Sequence, residues 1–262
     1  MDDSTGDSIQ TKRDETAETL ESLRRSLLDC DRCGLCSGRT QVVFGVGDPH
    51  AQLLFVGEGP GFHEDKQGEP FVGAAGKLLT ELLGQIGLTR ADVYIANVVK
   101  CRPPDNRDPL PDEIEACSPH LMEQIAIIRP KVICTLGRFA TKLLADTELS
   151  MTAIHGKAKP RTIGGVDLVV FPVFHPAAAL YQPSNRKALE DDFAKLRRLL
   201  AHGLNAKTPE PAGRPAPAEA ETQVAPVAGE ALQVAKPAAP FSERADRLHG
   251  PVGDRQEQLP LW

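Results

Sequence analysis

The sequence predicts an α/β protein in which helices cover both faces of a mostly parallel sheet. Two observations lead to this class. Four short apolar runs have the composition of buried strands, and stretches with helical periodicity lie between them. The four runs are residues 53–56, 93–99, 132–136 and 168–174. Because strands and helices alternate along the chain, helices have to cross over between consecutive strands, which favours parallel pairing.

The helices are predicted from the spacing of their apolar residues. Residues 16–28 form an amphipathic pattern that leads into the first cysteine pair. Residues 74–86 place leucine and isoleucine side chains on one face, from Leu78 to Ile86. Acidic residues open the third pattern, at 112–128, as is typical of a helix N-terminus. Two further helical patterns lie at 138–144 and 186–200.

The 262 residues divide by composition into one folded domain and two appendages. We expect the domain to occupy residues 17–201, which is long enough for a single hydrophobic core. The acidic segment 1–16 and the Ala- and Pro-rich segment 202–255 bury too little apolar surface to offset the entropy of ordering, so both are predicted to be disordered. No apolar run approaches the length of a membrane span. We expect the protein to be a monomer.

The composition of the first residues indicates the cellular compartment, and the distribution of charge indicates whether the protein can bind phosphate groups. Residues 1–10 are acidic and polar and lack the apolar core of a secretory signal, so we expect a cytoplasmic protein. The formal net charge of −6 resides in the two ends, which leaves a near-neutral domain that can still carry a phosphate-binding rim. Ordinary solvated charge is the alternative. The basic residues in predicted loops or at their edges are Arg102, Arg107, Lys157, Lys159, Arg161, Arg186 and Lys187.

Four of the six cysteines form two pairs that are distant in sequence. Cys30 and Cys33 make a CxxC, whereas Cys101 and Cys117 bracket a Pro-rich loop and the start of a helix. In a reduced cytoplasm such pairs bind metal more often than they form disulfides. Structural zinc and an iron–sulfur cluster both use cysteine thiolates, and the spacing favours the two about equally.

The other two cysteines are expected to have lesser roles. Cys36 lies three residues beyond Cys33 and is interpreted as a bystander, with a role as a substitute ligand as the alternative. Cys134 lies inside an apolar run, where a buried and inert thiol is expected.

Three of the predicted strands end in residues suited to chemistry, and in open α/β sheets ligands bind beyond the carboxyl ends of the strands. Gly57, Gly59 and Gly61 follow the first strand and allow the backbone to approach a ligand closely. Asn97 ends the second strand and presents a donor and an acceptor together. His175 ends the fourth and suits anion stabilisation or acid–base work. Each residue alone has a structural explanation, but their coincidence favours a site.

These residues together resemble a known enzyme family. The motifs occur in order between residues 30 and 200, and the ordered set is specific although no single motif is. The set resembles the family 4 uracil-DNA glycosylases. It consists of Cys30-x2-Cys33, Gly57-Glu58-Gly59-Pro60-Gly61 with Glu64-Asp65, Pro70-Phe71-Val72-Gly73, Asn97-Val98-Val99-Lys100-Cys101-Arg102-Pro103-Pro104 with Asn106-Arg107, Cys117 and His175-Pro176.

The resemblance implies a three-layer α/β/α sandwich around a four-stranded parallel sheet, and excision of uracil from DNA in base-excision repair. It also implies one structural [4Fe–4S] cluster that orders the loops facing DNA. By analogy its ligands are Cys30, Cys33, Cys101 and Cys117. The expected substrate is single- or double-stranded DNA containing uracil, in the bacterial nucleoid. A non-catalytic nucleic-acid-binding protein with a zinc or iron–sulfur site is the alternative.

By analogy, three residues hold an extruded uracil. Phe71 matches the family's stacking residue. The Asn97 amide is expected to donate to O4 and to accept from N3–H, a polarity that rejects cytosine. His175 is expected to hydrogen-bond O2 and to stabilise the uracil anion that forms when the glycosidic bond breaks.

The family pattern also suggests roles around the sugar. Glu58 matches a position near the sugar, and we expect it to position the attacking water or to stabilise the sugar cation. Backbone N–H groups around Gly59 and Gly61 are expected to assist. Glu64 and Asp65 are expected to support the loop or the water.

Two segments depart from the family pattern. Phe62 and His63 stand where the family often has acidic or polar residues, and a solvated loop position is expected for His63. Leu180 is followed by Tyr181, where Arg is common. This last loop is expected to enter the minor groove of DNA, with Leu180 as the wedge.

The last seven residues, 256–262, end an Ala- and Pro-rich stretch with an abrupt apolar cluster. Their order, Gln-x-x-Leu-x-Leu-aromatic with x for any residue, resembles the peptide that bacterial replication proteins insert into a groove of the sliding clamp. A flexible tether with such an anchor raises the local concentration of the folded domain on DNA. A random tail is the alternative, since short motifs match often by chance.

Overall fold

The computed structural model describes the backbone of residues 4–201 and the side chains of residues 13–201. Within this range one sheet has six strands. They are Val46–Gly47 (β1), Leu53–Gly57 (β2), Tyr94–Asn97 (β3), Val132–Leu136 (β4), Lys159–Ile163 (β5) and Val166–Val173 (β6). Their spatial order is β1-β3-β2-β4-β6-β5.

The centre of the sheet confirms the predicted parallel arrangement, because β3, β2, β4 and β6 are adjacent and parallel. The prediction of four strands is wrong at both edges, where β1 pairs antiparallel with β3 and β5 pairs antiparallel with β6. β1 has only two residues, and β5 is a polar strand of mostly alternating exposure. Neither edge strand contains the continuous apolar run that identifies a strand buried on both faces.

A Gly-Gly turn joins β5 to β6. Gly164 and Gly165 have φ values of 57° and 74°, the left-handed conformation that a two-residue hairpin turn of this kind requires. This dipeptide is a hairpin signal in the sequence, and it marks the edge strand that periodicity misses.

Eight α-helices accompany the sheet in the described residues. They are Ser4–Ser26 (α1), Phe62–Gln67 (α2), Ala74–Gln85 (α3), Pro111–Ile128 (α4), Arg138–Ala145 (α5), Met151–Ile154 (α6), Pro176–Tyr181 (α7) and Pro183–Ala201 (α8). All five predicted helices are present. None of the described helices is long and apolar enough to cross a membrane.

The first helix is longer than predicted. Its backbone is helical from Ser4, whereas the pattern in the sequence begins at residue 16. Once packing of Leu20 and its neighbours fixes one part of a helix, further polar turns are added at low cost. The predicted linker 202–255 and the predicted clamp-binding peptide 256–262 lie outside the described residues.

The apolar side chains of the sheet alternate between two cores. On one face, Leu54 and Val56 of β2 pack in a cluster with residues of α1, α4 and α5. On the other face, Leu53 and Phe55 pack with residues of α3 and α8, including Phe193. Because consecutive side chains on a strand point to opposite faces, β2 contributes to both cores. This confirms the three-layer α/β/α sandwich.

Candidate active site

A cleft opens beyond the carboxyl ends of β2, β3 and β6. Its walls come from the glycine-rich loop after β2, the loop after β3 and the start of α7. The lining residues are Glu58, Gly59, Pro60, Gly61, Glu64, Phe71, Ala75, Asn97, Pro103, Asn106, Arg107, His175 and Ala177. Seven of the eight predicted active-site residues therefore border one cleft, and the exception is Asp65.

Asn97 presents a buried amide from the last position of β3. Its side chain is 1% exposed, and its Oδ1 has no hydrogen-bond partner in the part of the chain that the structure describes. A buried acceptor of this kind costs free energy unless a ligand pairs with it. A Cβ on Gly57, its neighbour in the sheet, would lie 2.5 Å from Asn97 Oδ1 and 2.6 Å from Phe71 Cζ. The amide and the aromatic ring therefore lie side by side, which glycine at position 57 allows.

Phe71 is held in a backbone conformation that residues other than glycine rarely adopt. Its φ is 56°, in the left-handed region, and such strain persists only where the surroundings fix it. The Arg90 guanidinium donates hydrogen bonds to the main-chain oxygens of Pro70 and Phe71, at 2.8 and 3.2 Å. The ring is 7% exposed and forms an aromatic wall of the cleft.

His175 caps helix α7 with its own ring. Its Nδ1 accepts a hydrogen bond from the main-chain N–H of Ala177 at 3.1 Å, so the proton of the neutral imidazole is on Nε2. Burial lowers the pKa of His175 to about 4, which keeps the ring neutral near pH 7. The ring lies against Phe71, with centroids 5.6 Å apart and planes tilted by 31°. The cleft therefore contains a neutral N–H donor beside its aromatic wall.

Glu58 combines a position on the cleft with a shifted pKa. Burial raises the pKa of its carboxyl to about 7, and the charge of nearby Asp108 adds to this rise while Arg138 opposes it. Arg138 is itself paired with Asp108. At neutral pH the carboxyl is therefore divided between its protonated and ionised forms, as is typical of groups that exchange protons at active sites.

The two acids of helix α2 hold neighbouring segments in place. Glu64 Oε1 accepts hydrogen bonds from the main-chain N–H groups of Val72 and Gly73, both at 3.0 Å, and so fixes the loop after Phe71. Asp65 is 3% exposed, and its Oδ1 accepts from the main-chain N–H of Thr40 at 2.8 Å. The structure therefore places Asp65 outside the cleft, because its side chain anchors the segment that follows the first cysteine pair.

A second, small cavity lies among cysteines. The segment after α1 supplies Cys30, Cys33 and Cys36, the loop after β3 supplies Cys101, and α4 supplies Cys117. The structure therefore brings together the four predicted ligands, and it places Cys36 on the same wall.

Two N–H donors point at sulfur atoms of this cavity. Arg39 donates from Nη1 to Cys101 Sγ at 3.5 Å, and the main-chain N–H of Lys100 donates to Cys117 Sγ at 3.3 Å. Burial raises the pKa of Cys101 to about 11 and also raises that of Cys33. In this structure these thiols are therefore protonated near neutral pH. Sequence reasoning missed Arg39, because an arginine after a CxxC gives no distinct signal.

Five cysteines and one histidine line this cavity. Among residues 13–201, no three His, Cys, Asp or Glu side chains are placed to hold a single metal ion. The thiols instead border a cavity, and His120 Nε2 lies 4.0 Å from Cys30 Sγ at its edge. Cys134 is fully buried in β4, as predicted for an inert thiol.

Lys100 connects the cysteine cavity to the cleft. It is 1% exposed, and its ammonium group donates to the main-chain oxygen of Asn97 at 2.9 Å and to the side chain of Gln124. Burial lowers the pKa of Lys100 to about 8. Because its own N–H meets Cys117 Sγ, one residue positions both sites. Sequence reasoning missed this role, since a lysine in a loop is ordinarily solvated.

Residues 44–200 match the family model of the uracil DNA glycosylase superfamily. The match spans more than half of the chain and includes every residue that lines the cleft. The chain belongs to the uracil-DNA glycosylase superfamily. The range that matches this glycosylase superfamily contains Cys101 and Cys117, but it begins after Cys30 and Cys33. The N-terminal cysteine pair therefore lies outside the matched range and meets it at the cysteine cavity.

Similar proteins narrow the membership to the type-4 branch. A type-4 uracil-DNA glycosylase of Sulfurisphaera tokodaii is 51% identical over 187 residues, covering 70% of this chain and 85% of that protein. Those of Archaeoglobus fulgidus and Thermotoga maritima are 48% and 44% identical over 186 residues, covering 70% of this chain and 94% and 95% of those proteins. The family predicted from the motifs is therefore confirmed.

Proposed function

We propose that this chain is a uracil-DNA glycosylase, which turns uracil out of DNA, hydrolyses its N-glycosidic bond and leaves an abasic site for base-excision repair. Membership of the type-4 branch supports this reaction, which the names of the similar proteins state. The observation that carries the proposal is the convergence of Phe71, Asn97 and His175 on one cleft. A flat aromatic wall, an unpaired amide and a neutral N–H donor together suit an extruded pyrimidine.

Recognition of uracil follows from the buried amide of Asn97. Its unpaired Oδ1 accepts from N3–H of uracil, and its Nδ2 donates to O4. Cytosine has an amino group in place of O4 and no proton on N3, so both hydrogen bonds are lost and buried groups are left unpaired. Phe71 stacks on the same base, because Gly57 keeps its ring beside the amide.

Cleavage of the glycosidic bond follows from His175 and Glu58. As the C1′–N1 bond breaks, its electron pair leaves with uracil, negative charge spreads to O2, and the sugar gains oxocarbenium character. The Nε2–H of His175 donates to O2 from a neutral ring, because a pKa of about 4 means that the imidazole carries no second proton near pH 7. Ionised Glu58 faces the sugar cation, positions the water that adds to C1′ and accepts a proton from it.

We propose that Cys30, Cys33, Cys101 and Cys117 hold one structural [4Fe–4S] cluster. The cavity that they border and the N–H donors aimed at two of the sulfur atoms suit ligating thiolates, and the similarity to type-4 proteins favours a cluster over zinc. When bound, such a cluster supplies order to the loop after β3, which contributes Pro103 to the cleft. No step of the reaction passes through it.

Several features of the wider setting belong to the proposal. The substrate is DNA containing uracil, single- or double-stranded, at the nucleoid of a bacterial cytoplasm, and the enzyme acts as a monomer. Residues 256–262 tether it to the sliding clamp. Leu180 and Tyr181 are 41% and 85% exposed at the end of α7, and we propose that this end enters the minor groove.

An oligonucleotide assay tests the reaction. Iron-loaded protein is incubated with labelled single- and double-stranded oligonucleotides that contain one uracil, and alkali then breaks the strand at abasic sites. We expect breaks at the uracil position in both, and none in matched oligonucleotides with thymine or cytosine. A protein that binds these DNAs without creating alkali-labile sites would be a non-catalytic nucleic-acid-binding protein instead.

A further inference from the structure

Phe62 exposes an aromatic ring at the rim of the cleft. It follows Gly61, which lines the cleft, and it begins α2 with 45% of its surface exposed. The ring belongs to neither of the two hydrophobic cores, so packing of the domain does not explain its presence. Its position at the rim places an aromatic ring within reach of a ligand that binds in the cleft.

Two cations lie against this ring. Lys66 Nζ is 4.5 Å from the ring centroid and Arg102 Cζ is 5.3 Å from it, both within the range of cation–π interaction. Arg102 comes from a different loop, next to the cleft residue Pro103, and its Nε donates to Asn106 Oδ1 at 2.8 Å. The ring and its cations therefore join two segments of the cleft rim.

Among residues 13–201, no acidic side chain is paired with either of these two cations, Lys66 and Arg102. Other basic residues predicted for a phosphate-binding rim are engaged, since Arg107 is bound by Glu113 and Arg186 by two glutamates. Two unpaired cations beside an exposed ring suit a ligand that has both a flat π face and a negative charge.

We propose that Phe62, Lys66 and Arg102 form a binding site for the nucleotide next to the extruded uracil. The base of that nucleotide stacks on the exposed part of the Phe62 ring, and the cations meet its phosphate. Turning one nucleotide out of a strand leaves its neighbour without a stacking partner, and a ring at the cleft rim replaces the lost contact. This inference rests on the proposed function, because it takes the cleft to be the place of the extruded base.

A double-mutant cycle between protein and DNA tests this site. Wild type and Phe62→Ala are compared on single-stranded oligonucleotides in which the nucleotide 5′ or 3′ of uracil is either normal or a tetrahydrofuran abasic residue. On normal DNA we expect Phe62→Ala to raise KM about tenfold with little change in kcat. Wild type should show the same rise when one of the two neighbouring bases is removed. Removal of that base should not raise the KM of Phe62→Ala further, because the change in the protein and the change in the DNA delete the same stacking contact.

Two variants serve as controls. Phe62→Trp keeps an aromatic face and is expected to keep the wild-type KM. Leu149→Ala removes an apolar side chain that is 63% exposed and does not line the cleft, and it is also expected to keep the wild-type KM. Replacing Lys66 and Arg102 together by Gln should make DNA binding less dependent on salt, since two phosphate contacts are lost.

The outcomes separate this site from the proposed function. If Phe62→Ala responds to both abasic neighbours as wild type does, or keeps the wild-type KM, the nucleotide site is overturned. Wild type that releases no uracil from any of these DNAs would instead overturn the proposed function. The same cycle is therefore also measured as Kd by fluorescence anisotropy, which needs no excision. On normal DNA, Phe62→Ala should bind about tenfold more weakly than wild type, and on DNA with one of the two abasic neighbours the two proteins should bind equally.

Discussion

The main-chain N–H of Ala177 donates a hydrogen bond to Nδ1 of His175 across 3.1 Å. This contact determines the chemistry of the imidazole, because it leaves the ring proton on Nε2. Burial lowers the pKa of the ring to about 4, so His175 is a neutral donor throughout the range in which a cellular enzyme works. The ring stabilises negative charge on a leaving base without giving up its proton.

Replacement of His175 by Ala is expected to lower kcat about 10²- to 10³-fold, since one donor to the forming anion is lost. DNA affinity should stay near that of wild type, because the loss falls on the transition state. Single-turnover excision and fluorescence anisotropy measure the two effects. His175→Gln, which keeps an N–H donor, is the matched control and should retain more activity than His175→Ala. A wild-type rate in His175→Ala would refute the assignment.

Asn97→Ala is expected to lose orders of magnitude in excision rate while the bound iron and the brown colour persist. The amide is the buried group that pairs with the base edge, whereas the cysteine cavity has its own side chains. Asn97→Asp offers only acceptors when ionised, so it should also lose the bond to O4. Rate and iron content per chain are measured on the same preparations. Excision at the wild-type rate in both variants would remove Asn97 from the site.

The pKa of Glu58 predicts an acid limb in the pH profile of kcat. Ionised Glu58 is the active form, and its pKa is about 7, so the rate should fall about tenfold per pH unit below that value and level off above it. Asp108→Asn removes a neighbouring negative charge and should move the limb to lower pH.

Two further variants complete this test. Arg138→Gln removes the opposing positive charge and should move the limb to higher pH. Glu58→Gln should be slow and should have no limb. A limb at the same pH in Asp108→Asn and Arg138→Gln would mean that another group titrates.

Cys101→Ser is expected to lose iron, colour and thermal stability together, because a ligand of the proposed cluster is removed. Cys134→Ser is the matched control: it changes a buried cysteine of β4 and should keep its iron while losing about 1–3 kcal/mol of stability. Cys36→Ser distinguishes a bystander, which keeps the full iron content, from a ligand. Purified wild type that holds zinc and no iron or sulfide would contradict the cluster.

Residues 256–262 are predicted to bind the bacterial sliding clamp with micromolar affinity. Calorimetry compares the full chain with one that ends at residue 255. Heat of binding should appear only with the full chain, and a peptide known to occupy the clamp groove should abolish it. Equal heats from the two chains, or none from either, would contradict binding of the clamp by residues 256–262.

The central strands are predictable from the sequence, whereas the edges of the sheet are not. β2 and β4 are buried on both faces, so each consists of a continuous apolar run. β5 has one edge in solvent and includes Lys159 and Arg161, which resemble loop residues when only periodicity is considered. The Gly164-Gly165 dipeptide carries the remaining local signal.

Within the site, residue types identify the groups that face a ligand better than those that position them. Asn97 and His175 are recognisable because they stand at strand ends, where the topology of the sheet gathers them. The role of Asp65 depends on Thr40, and that of Lys100 depends on Gln124. Hydrogen bonds between distant segments leave no periodic trace in a sequence, so the structure was needed to assign them.

The most direct measurement of the central claim is the release of free uracil, detected by mass spectrometry, from a DNA strand incubated with iron-loaded protein. The account predicts one free uracil for each abasic site formed by wild type, and neither thymine nor cytosine from matched strands. It also predicts that the Asn97→Ala, His175→Ala double variant binds the strand and releases almost no base. DNA binding by wild type with no uracil released, or unchanged release by the double variant, would contradict the proposal that this cleft performs the reaction.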